Sequence, residues 1–298
     1  MRIPTKLTKH MIPRNLLFWV FSIATVMLFR DPLTKLFGMS FKSELYSHII
    51  LIPIISAYFI CMERKKVFSD VRYSAPFGLS IIVAGIILYF LGIDQGARLN
   101  SNDHLALLVF GSVTCWIGGF VLFYGLKASR AAGFPLLFLF FLTPIPSIIV
   151  ENFILLLQIA STETSSVFFG LTGVPVLREG FVFHLPGLSI EVAKQCSGIR
   201  SSLALVITSI IAGQLFLRTG WKKLLLILSI FPITVFKNGL RIMMLTLLGA
   251  YVDPRILGSE LHKSGGIPFF VVALMMLVPV LWALKRSERK GREKSGEC

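Results

Sequence analysis

The stretch HLALLVFGSVTCWIGGFVLFYGL at residues 104–126 decides the fold class, because it contains no acidic residue, lysine or arginine. An apolar helix of about 20 residues is long enough to cross the hydrocarbon core of a bilayer. Seven further apolar runs surround it, at 15–29, 45–62, 77–93, 132–146, 198–217, 224–250 and 267–284. The sequence therefore predicts an all-α fold, a polytopic membrane helix bundle of about eight spans with a small outer cap.

The composition excludes the main soluble classes. Of the 298 residues, 55% are hydrophobic and only 15% are charged, against roughly 25% charged in an average soluble domain. A soluble globule could not cover this much apolar surface, and a disordered chain would be far more polar. The apolar residues come in unbroken runs rather than in alternation, which disfavours a β-barrel. Four cysteines are too few for a disulfide-stapled module.

The distribution of charge predicts the topology. The net charge is +15, but the basic residues form short clusters between apolar runs, so we expect no nucleic-acid partner. With the N-terminus in the cytoplasm, 19 of the 30 Lys and Arg residues fall in inside segments and 8 in outside loops. This predicts a multi-pass inner-membrane protein with both termini cytoplasmic and a basic cytoplasmic tail at 285–298. The first run is either a signal peptide or an uncleaved anchor; the absence of a small-x-small cleavage site favours the anchor.

We expect one integral membrane domain over 1–298, with an outer cap at 143–197. Within the cap, 147–169 is apolar but carries Glu151, Gln158 and a polar run at 161–166. A ninth full span there would move the basic tail to the outside, so we expect an interfacial or re-entrant helix. Two short extended segments are predicted after it, at Val174 to Leu177 and Phe181 to Leu185.

The outer end of the sixth run carries Cys196, followed by Ser197 and Gly198. Counting back from Arg218, 22 residues at about 1.5 Å each give about 33 Å, one bilayer crossing. A helix N-terminus at this position favours the thiolate form of Cys196 and offers backbone N–H groups to an oxyanion. Cys61 and Cys115 lie inside apolar runs, where a cysteine is usually an inert apolar residue.

Two other runs bring polar groups to the same outer level. Arg241 lies 18 residues after Lys223, about 27 Å along a helix, and shares a face with Asn238. His262 precedes the last run by five residues and is suited to act as a base. A nucleophile, a base and a cation near one level are the components of acyl-transfer chemistry. Each of the three residues also has a non-catalytic interpretation. Arg241 could extend to the lipid headgroups, His262 could be an ordinary solvated loop residue, and Cys196 could be an inert apolar residue.

The motifs that carry these residues resemble the exosortase/archaeosortase family over about 40–290. The motifs are Cys-Ser-Gly-Ile-Arg-Ser at 196–201, Asn-Gly-Leu-Arg at 238–241 and His-Lys-Ser-Gly-Gly at 262–266. Tyr46-Ser47-His48 opens the second run as in that family, although Ile49 stands where many members have Gly. A His in the third motif is similar to the bacterial members.

The resemblance implies a membrane cysteine transpeptidase that works on the outer, periplasmic face of the inner membrane. Such enzymes cut a C-terminal sorting signal of exported proteins, a Pro-Glu-Pro type motif followed by a span and a basic cluster. They are thought to transfer the new carboxyl end to a cell-surface glycan or lipid acceptor. The family's catalytic residues correspond to Cys196, Arg241 and His262.

From charge and position we add five candidate substrate-binding residues, and we expect no cofactor and no metal. They are Asn238, Arg200, Lys237, Ser197 and Gly198. Arg200 and Lys237 could pair with an acidic residue of the sorting motif. The competing hypothesis is a non-enzymatic transporter for an anionic substrate, lined by the intramembrane cations. It is disfavoured because the polar groups gather at one face and no charge chain crosses the midplane.

Overall fold

The structure, a computed structural model, describes residues 5–186, 188–194, 198–253, 255 and 266–295. The chain divides into two compact units, Met1–Ile149 and Val150–Cys298. Cys196, Ser197 and His262 lie outside the described residues.

The first unit is built from helices. They are α1 (Thr5–Leu28), α2 (Arg30–Lys42), α3 (Leu51–Met62), α4 (Arg64–Val67), α5 (Ala75–Asp94), α6 (Ser101–Ala131) and α7 (Gly133–Phe138). Short 3₁₀ segments at Glu44–Ile50, Gln95–Ala97 and Leu139–Leu142 join or extend them. The start of α8 (Ser147–Thr172) completes this unit.

Glycines let α5 and α6 approach closely. Gly78, Gly85 and Gly92 recur every seven residues along α5 and are buried. A Cβ on Gly85 would lie 2.6 Å from the backbone nitrogen of Cys115 and 2.8 Å from the carbonyl oxygen of Gly111. Residues seven apart fall on nearly the same face of a helix, so the glycines form one seam along which the backbones touch. Small residues at such seams are typical of helix pairs in membranes.

Helix α6 is kinked at Gly125, whose φ of 86° lies in the region that favours glycine. The carbonyl oxygens of Leu122 and Tyr124, next to the kink, accept hydrogen bonds from the backbone N–H groups of Ser74 and Arg72, at 3.1 and 3.3 Å. The polar groups exposed by the break are therefore satisfied by the loop before α5.

The segment after α6 runs back along it. The side-chain amide of Asn102, in the first turn of α6, donates to the carbonyl oxygen of Ile145 at 2.9 Å. Asp103 accepts a hydrogen bond from the backbone N–H of Ser147 at 2.6 Å. Residues 132–146 thus return from the end of α6 to its beginning, and α8 starts at that end.

The predicted fifth span, 132–146, is therefore not a single helix. Its helical part, Gly133–Leu142, is too short to span a bilayer. At about 1.5–2 Å per helical residue and about 3.3 Å per extended residue, the whole segment reaches about 30 Å. Pro144 and Pro146 keep its last residues extended, since proline cannot continue a helix.

In its described residues, the second unit contains most of α8, a small sheet and four further helices. The helices are α9 (Ile199–Phe216), α10 (Gly220–Leu228), α11 (Ile230–Tyr251) and α12 (Gly266–Ser295). All four contribute to one apolar core, which includes Leu205, Leu226, Ile233 and Ala273.

The sheet has three antiparallel strands in the order β1 (Leu177–Glu179), β2 (Val182–Leu185) and β3 (Leu188–Glu191). Its register pairs Arg178 with Phe183, and Phe183 with Ile190. The first strand lies two to three residues later than the predicted segment at 174–177, and the prediction missed β3. The turn between β1 and β2 uses Gly180 with a φ of 61°.

Among the described residues, seven helices are long and apolar enough to cross a membrane, or eight when the bent pair Pro13–Leu28 and Arg30–Lys42 counts as one span. This confirms an all-α polytopic fold of about eight spans. Each predicted run except 132–146 falls on one of these helices. The eighth qualifying helix is Ser147–Thr172, which has the length and composition of a span where the sequence predicted an interfacial or re-entrant segment.

Candidate functional site

Helix α9 begins on a glycine in the left-handed conformation. Gly198 is its N-cap residue, with φ 74° and ψ 18°. Its carbonyl oxygen accepts hydrogen bonds from the backbone N–H of Ser202 at 2.9 Å and from the Ser202 hydroxyl at 2.8 Å. Because glycine has no side chain, the N-cap residue itself cannot cover the N–H groups of the first turn. The dipole of α9 therefore places partial positive charge at this end.

Gly198 packs directly against Asn238 of α11. A Cβ on Gly198 would collide with both amide atoms of the Asn238 side chain. Asn238 is itself 0% exposed. Two of the motifs singled out in the sequence, 196–201 and 238–241, therefore meet at this contact, although they are 40 residues apart.

A second link joins the same two helix turns. The ammonium group of Lys237 donates a hydrogen bond to the hydroxyl of Ser201. That hydroxyl in turn donates to the carbonyl oxygen of Gly198 at 3.0 Å. Lys237 is 1% exposed, so its charge lies at the start of α9 and not on the protein surface. Arg200, in the same turn of α9, is exposed.

Arg241 lies one turn beyond Asn238 on the same face of α11 and is half-buried. The next residue, Ile242, belongs to an apolar cluster with Phe169, Phe183 and Val192. This cluster packs the Arg241 turn of α11 against the small sheet and the end of α8. The backbone around Arg241 is therefore fixed by packing.

Helix α8 contributes a polar face that sequence analysis did not identify as part of the site. Its members are Gln158, Ser161, Thr162 and Ser165, all buried. A Cβ on Gly239 of α11 would lie 2.7 Å from a methyl carbon of Thr164, so α8 and α11 touch beside Asn238. The i, i+3, i+4, i+7 spacing was a readable signal, because it places the four side chains on one helix face.

Two contacts hold the chain that leads to Cys196. The side-chain amide of Gln158 donates to the carbonyl oxygen of Val192, four residues before the cysteine, at 2.6 Å. Arg178 on β1 makes a bidentate ion pair with Glu163 on α8, with N–O distances of 2.9 and 2.6 Å. Glu163 raises the pKa of Arg178 through this hydrogen-bonded pair. The sheet is thus tied to α8 on the approach to the cysteine motif.

The other predicted site residues fall elsewhere. Cys196, Ser197 and His262 lie outside the described residues. His48 lies in the first unit, half-buried in the 3₁₀ segment Glu44–Ile50. Within the described part of the chain, no group of three or more His, Cys, Asp and Glu side chains is placed to hold a metal ion.

The described residues form an electropositive environment at the start of α9. The Gly198 N-cap has no capping side chain and touches the buried amide of Asn238. The buried ammonium of Lys237 bonds to the first turn of α9, and Arg241 lies one turn beyond Asn238 on α11. Such an environment stabilises an anion, either a thiolate or the oxyanion of a tetrahedral intermediate. This is the electrostatic part of acyl-transfer chemistry.

Comparison with protein families gives a direct assignment. The model of the transmembrane exosortase family (Exosortase_EpsH) matches residues 40–279, well over half of the chain. No curated protein and no solved structure matches the chain. The matched region contains all three motifs of the candidate site, and the resemblance deduced from those motifs is confirmed. The chain belongs to the transmembrane exosortase family.

Proposed function

We propose that this protein is a membrane cysteine transpeptidase that cleaves C-terminal sorting signals of the Pro-Glu-Pro type from exported proteins. It transfers the new carboxyl end to a cell-surface acceptor, a glycan or a lipid. Family membership supports a membrane transpeptidase in general. The reaction, the substrate class and the residue roles below are our proposal.

The observation that carries the proposal is the contact between Gly198 and Asn238. Gly198 follows the cysteine by two residues, and Asn238 precedes Arg241 by one helix turn. The motif that holds the nucleophile and the motif that holds the cation are therefore packed against each other. A transporter lined by cations along its length would not need this local convergence.

In the proposed reaction, the Cys196 thiolate attacks the carbonyl carbon of the scissile peptide bond. The S–C bond forms, the C–N bond breaks, and a thioester remains on the enzyme. His262 takes the thiol proton and gives it to the leaving amine. The acceptor group then gives a proton to the now neutral His262 and attacks the thioester. Its new bond to the carbonyl carbon forms, the S–C bond breaks, and Cys196 leaves as the thiolate.

Arg241 stabilises the oxyanion, together with backbone N–H groups at Ser197 and Gly198. Asn238 orients Arg241 or a substrate carbonyl. Arg200, which is exposed, is suited to meet an acidic residue of the sorting motif. Lys237 is buried on Ser201, so we propose that it acts on the substrate through the charge it brings to the first turn of α9.

We place the site on the periplasmic face of the inner membrane, with both termini in the cytoplasm. The support for this orientation is the excess of basic residues in the inside segments of the predicted topology, in which 132–146 crosses the membrane and 147–169 does not. A sorting signal that has crossed the membrane presents its cleavage motif on the outer side, where the acceptor is also available.

The test is processing of one sorting-signal substrate in cells, followed on a gel. Cys196→Ala, Arg241→Ala and His262→Ala are each expected to lose the cleaved band while still inserting in the membrane. Cys61→Ala is the matched control, because Cys61 is an exposed cysteine of α3 in the other unit. Cleavage that survives Cys196→Ala would refute the proposed chemistry. A Cys196 that no outside thiol reagent labels would favour the transporter hypothesis.

A further inference from the structure

The end of the second unit opposite Gly198 carries two neighbouring cavities that no part of the proposed reaction uses. One lies where the end of α9 and the α9–α10 connection meet the last turns of α12, and the other lies beside it on α12. One cavity has a volume of ≈ 370 Å³ and is lined in part by Arg218 and Phe216. The other, ≈ 450 Å³, is lined in part by Trp282 and Arg286. Lys285 and Arg289 line both.

The cations of this surface form no ion pair with the acidic side chains that the structure describes. Among those side chains, which end at Gly291 in α12, no carboxylate lies within 4.0 Å of the charged groups of Arg218, Lys285, Arg286 or Arg289. Like charges gathered without counter-ions repel one another, so an anion bound between them is favoured.

The carboxylate of Glu288, the acidic residue of this surface, already accepts hydrogen bonds from the protein backbone. It is 7% exposed. Its carboxylate accepts hydrogen bonds from the backbone N–H of Thr219 at 2.6 Å and of Arg218 at 3.1 and 3.2 Å. These bonds hold the α9–α10 connection against α12. Glu288 therefore lines this cavity with a carboxylate that already accepts hydrogen bonds from two backbone N–H groups.

Aromatic side chains place this surface at a membrane interface. Trp221 and Trp282 are both 59% exposed. The guanidinium of Arg286 lies 5.1 Å from the ring centroid of Trp282, and the ammonium of Lys285 lies 5.2 Å from that of Phe216. Tryptophan is enriched at the headgroup level of membranes, and lysine and arginine extend toward it from helix ends. The cavities therefore face phospholipid headgroups.

We propose that these two cavities bind the headgroup of an anionic phospholipid that carries two phosphates, of the cardiolipin class. Each cavity has a volume in the range of small-ligand sites and one arginine of its own, Arg218 or Arg286. The shared Lys285 and Arg289 lie between the two phosphate positions. Basic pockets at helix ends are a common form of phospholipid site. A lipid bound here contacts the end of α9, the α9–α10 connection and α12.

The experiment uses the full-length protein, purified in neutral detergent, with lipid binding followed by native mass spectrometry. Cardiolipin, phosphatidylglycerol, phosphatidylcholine and inorganic pyrophosphate are titrated separately. We expect cardiolipin to bind most tightly. Lys285→Gln with Arg289→Gln should weaken cardiolipin binding about 25-fold, at about fivefold for each cation removed. Both side chains are exposed, and circular dichroism checks that the variant is folded.

The matched control is Arg64→Gln with Lys65→Gln, which removes the same charge from an exposed helix, α4, in the other unit. Its cardiolipin affinity should equal that of the wild type. Equal losses in both variants, or no loss in the first, would overturn the site. Displacement of cardiolipin by pyrophosphate would identify a soluble phosphate ligand instead. Phosphatidylglycerol or phosphatidylcholine binding as tightly as cardiolipin would overturn the two-phosphate assignment. The Cys196→Ala protein should bind the lipid normally, which separates this result from the proposed reaction.

Discussion

Replacing Gly198 with alanine should disrupt the junction between α9 and α11. Gly198 has a φ of 74°, and a left-handed conformation costs a residue with a Cβ about 1–2 kcal/mol. The new methyl group would also overlap the buried amide of Asn238, and overpacking of this kind costs about 1–3 kcal/mol. The free energy of unfolding is therefore expected to fall by about 2–5 kcal/mol.

The same change should reduce activity by more than it reduces the amount of folded protein. The start of α9 must shift to relieve the overlap, and it carries the proposed nucleophile two residues away. A displacement of about 1 Å at a reacting group can cost about 100-fold in rate. The assay measures processing of a sorting-signal substrate per unit of membrane-inserted enzyme, together with thermal unfolding in detergent.

A glycine on the same helix provides the control. In α9, a Cβ on Gly213 would lie 3.6 Å from the nearest side-chain carbon of Lys223, an ordinary contact. Gly213→Ala should therefore keep full activity and gain up to about 1 kcal/mol of stability. If Asn238→Ala is added to Gly198→Ala, the stability should partly recover, because the overlap disappears with the amide. The activity should not recover, because the amide of Asn238 is then missing. If the Gly198→Ala protein processes substrate and unfolds as the wild type does, the reasoning is refuted.

Three further predictions concern the fold and its orientation. Gly85→Ala should lower the free energy of unfolding by about 1–3 kcal/mol, because the new Cβ would lie 2.6 Å from a backbone atom of α6. Thermal unfolding measures the loss, and Gly38→Ala is the control because a Cβ there would have nothing within 4 Å. A double-mutant cycle of Lys237→Met and Ser201→Ala should give a coupling energy of about 1.5–3 kcal/mol, typical of a charged hydrogen bond; additive losses would show that the bond does not contribute. A reporter fused after the basic tail 285–298 should be active only in the cytoplasm, and a periplasmic signal would mean that one further segment crosses the membrane.

The sequence alone predicts most of the membrane spans, because the length and hydropathy of a segment are local properties. Residue counting from the predicted inner ends also put the turns of 196–201 and 238–241 at one level. The Lys237–Ser201 bond joins those two turns. The contact of Gly198 with Asn238 could not be predicted, because it depends on which helix packs beside α9.

The polar face of α8 shows why other parts were missed. Four buried polar residues between Gln158 and Ser165 lower the hydropathy of the segment, which makes it look interfacial. The structure shows that three of them donate hydrogen bonds to backbone carbonyl oxygens: Gln158 to Val192, Thr162 to Gln158 and Ser165 to Ser161. Hydropathy does not distinguish a side chain that faces water from one that faces another helix, whereas periodicity does.

The segment 132–146 was misjudged for a different reason. Its apolar length suggested one helix, but its prolines keep the last residues extended, and only contacts such as Asn102 to Ile145 reveal where it ends. The kink at Gly125 and the glycine seam of α5 could have been suspected from spacing, since 111, 118 and 125 also lie seven residues apart. Which helix faces pack against each other depends on the tertiary structure and not on local spacing.

The central claim is that Cys196 forms a covalent acyl intermediate, and trapping that intermediate tests it most directly. Purified enzyme is mixed with a sorting-signal peptide, quenched in acid and analysed by mass spectrometry, with and without hydroxylamine. The account predicts an adduct on Cys196 with the mass of the acyl fragment, removed by hydroxylamine and absent in Cys196→Ala. Cleavage of the peptide by Cys196→Ala, or turnover by the wild type with no adduct on this cysteine, would contradict it.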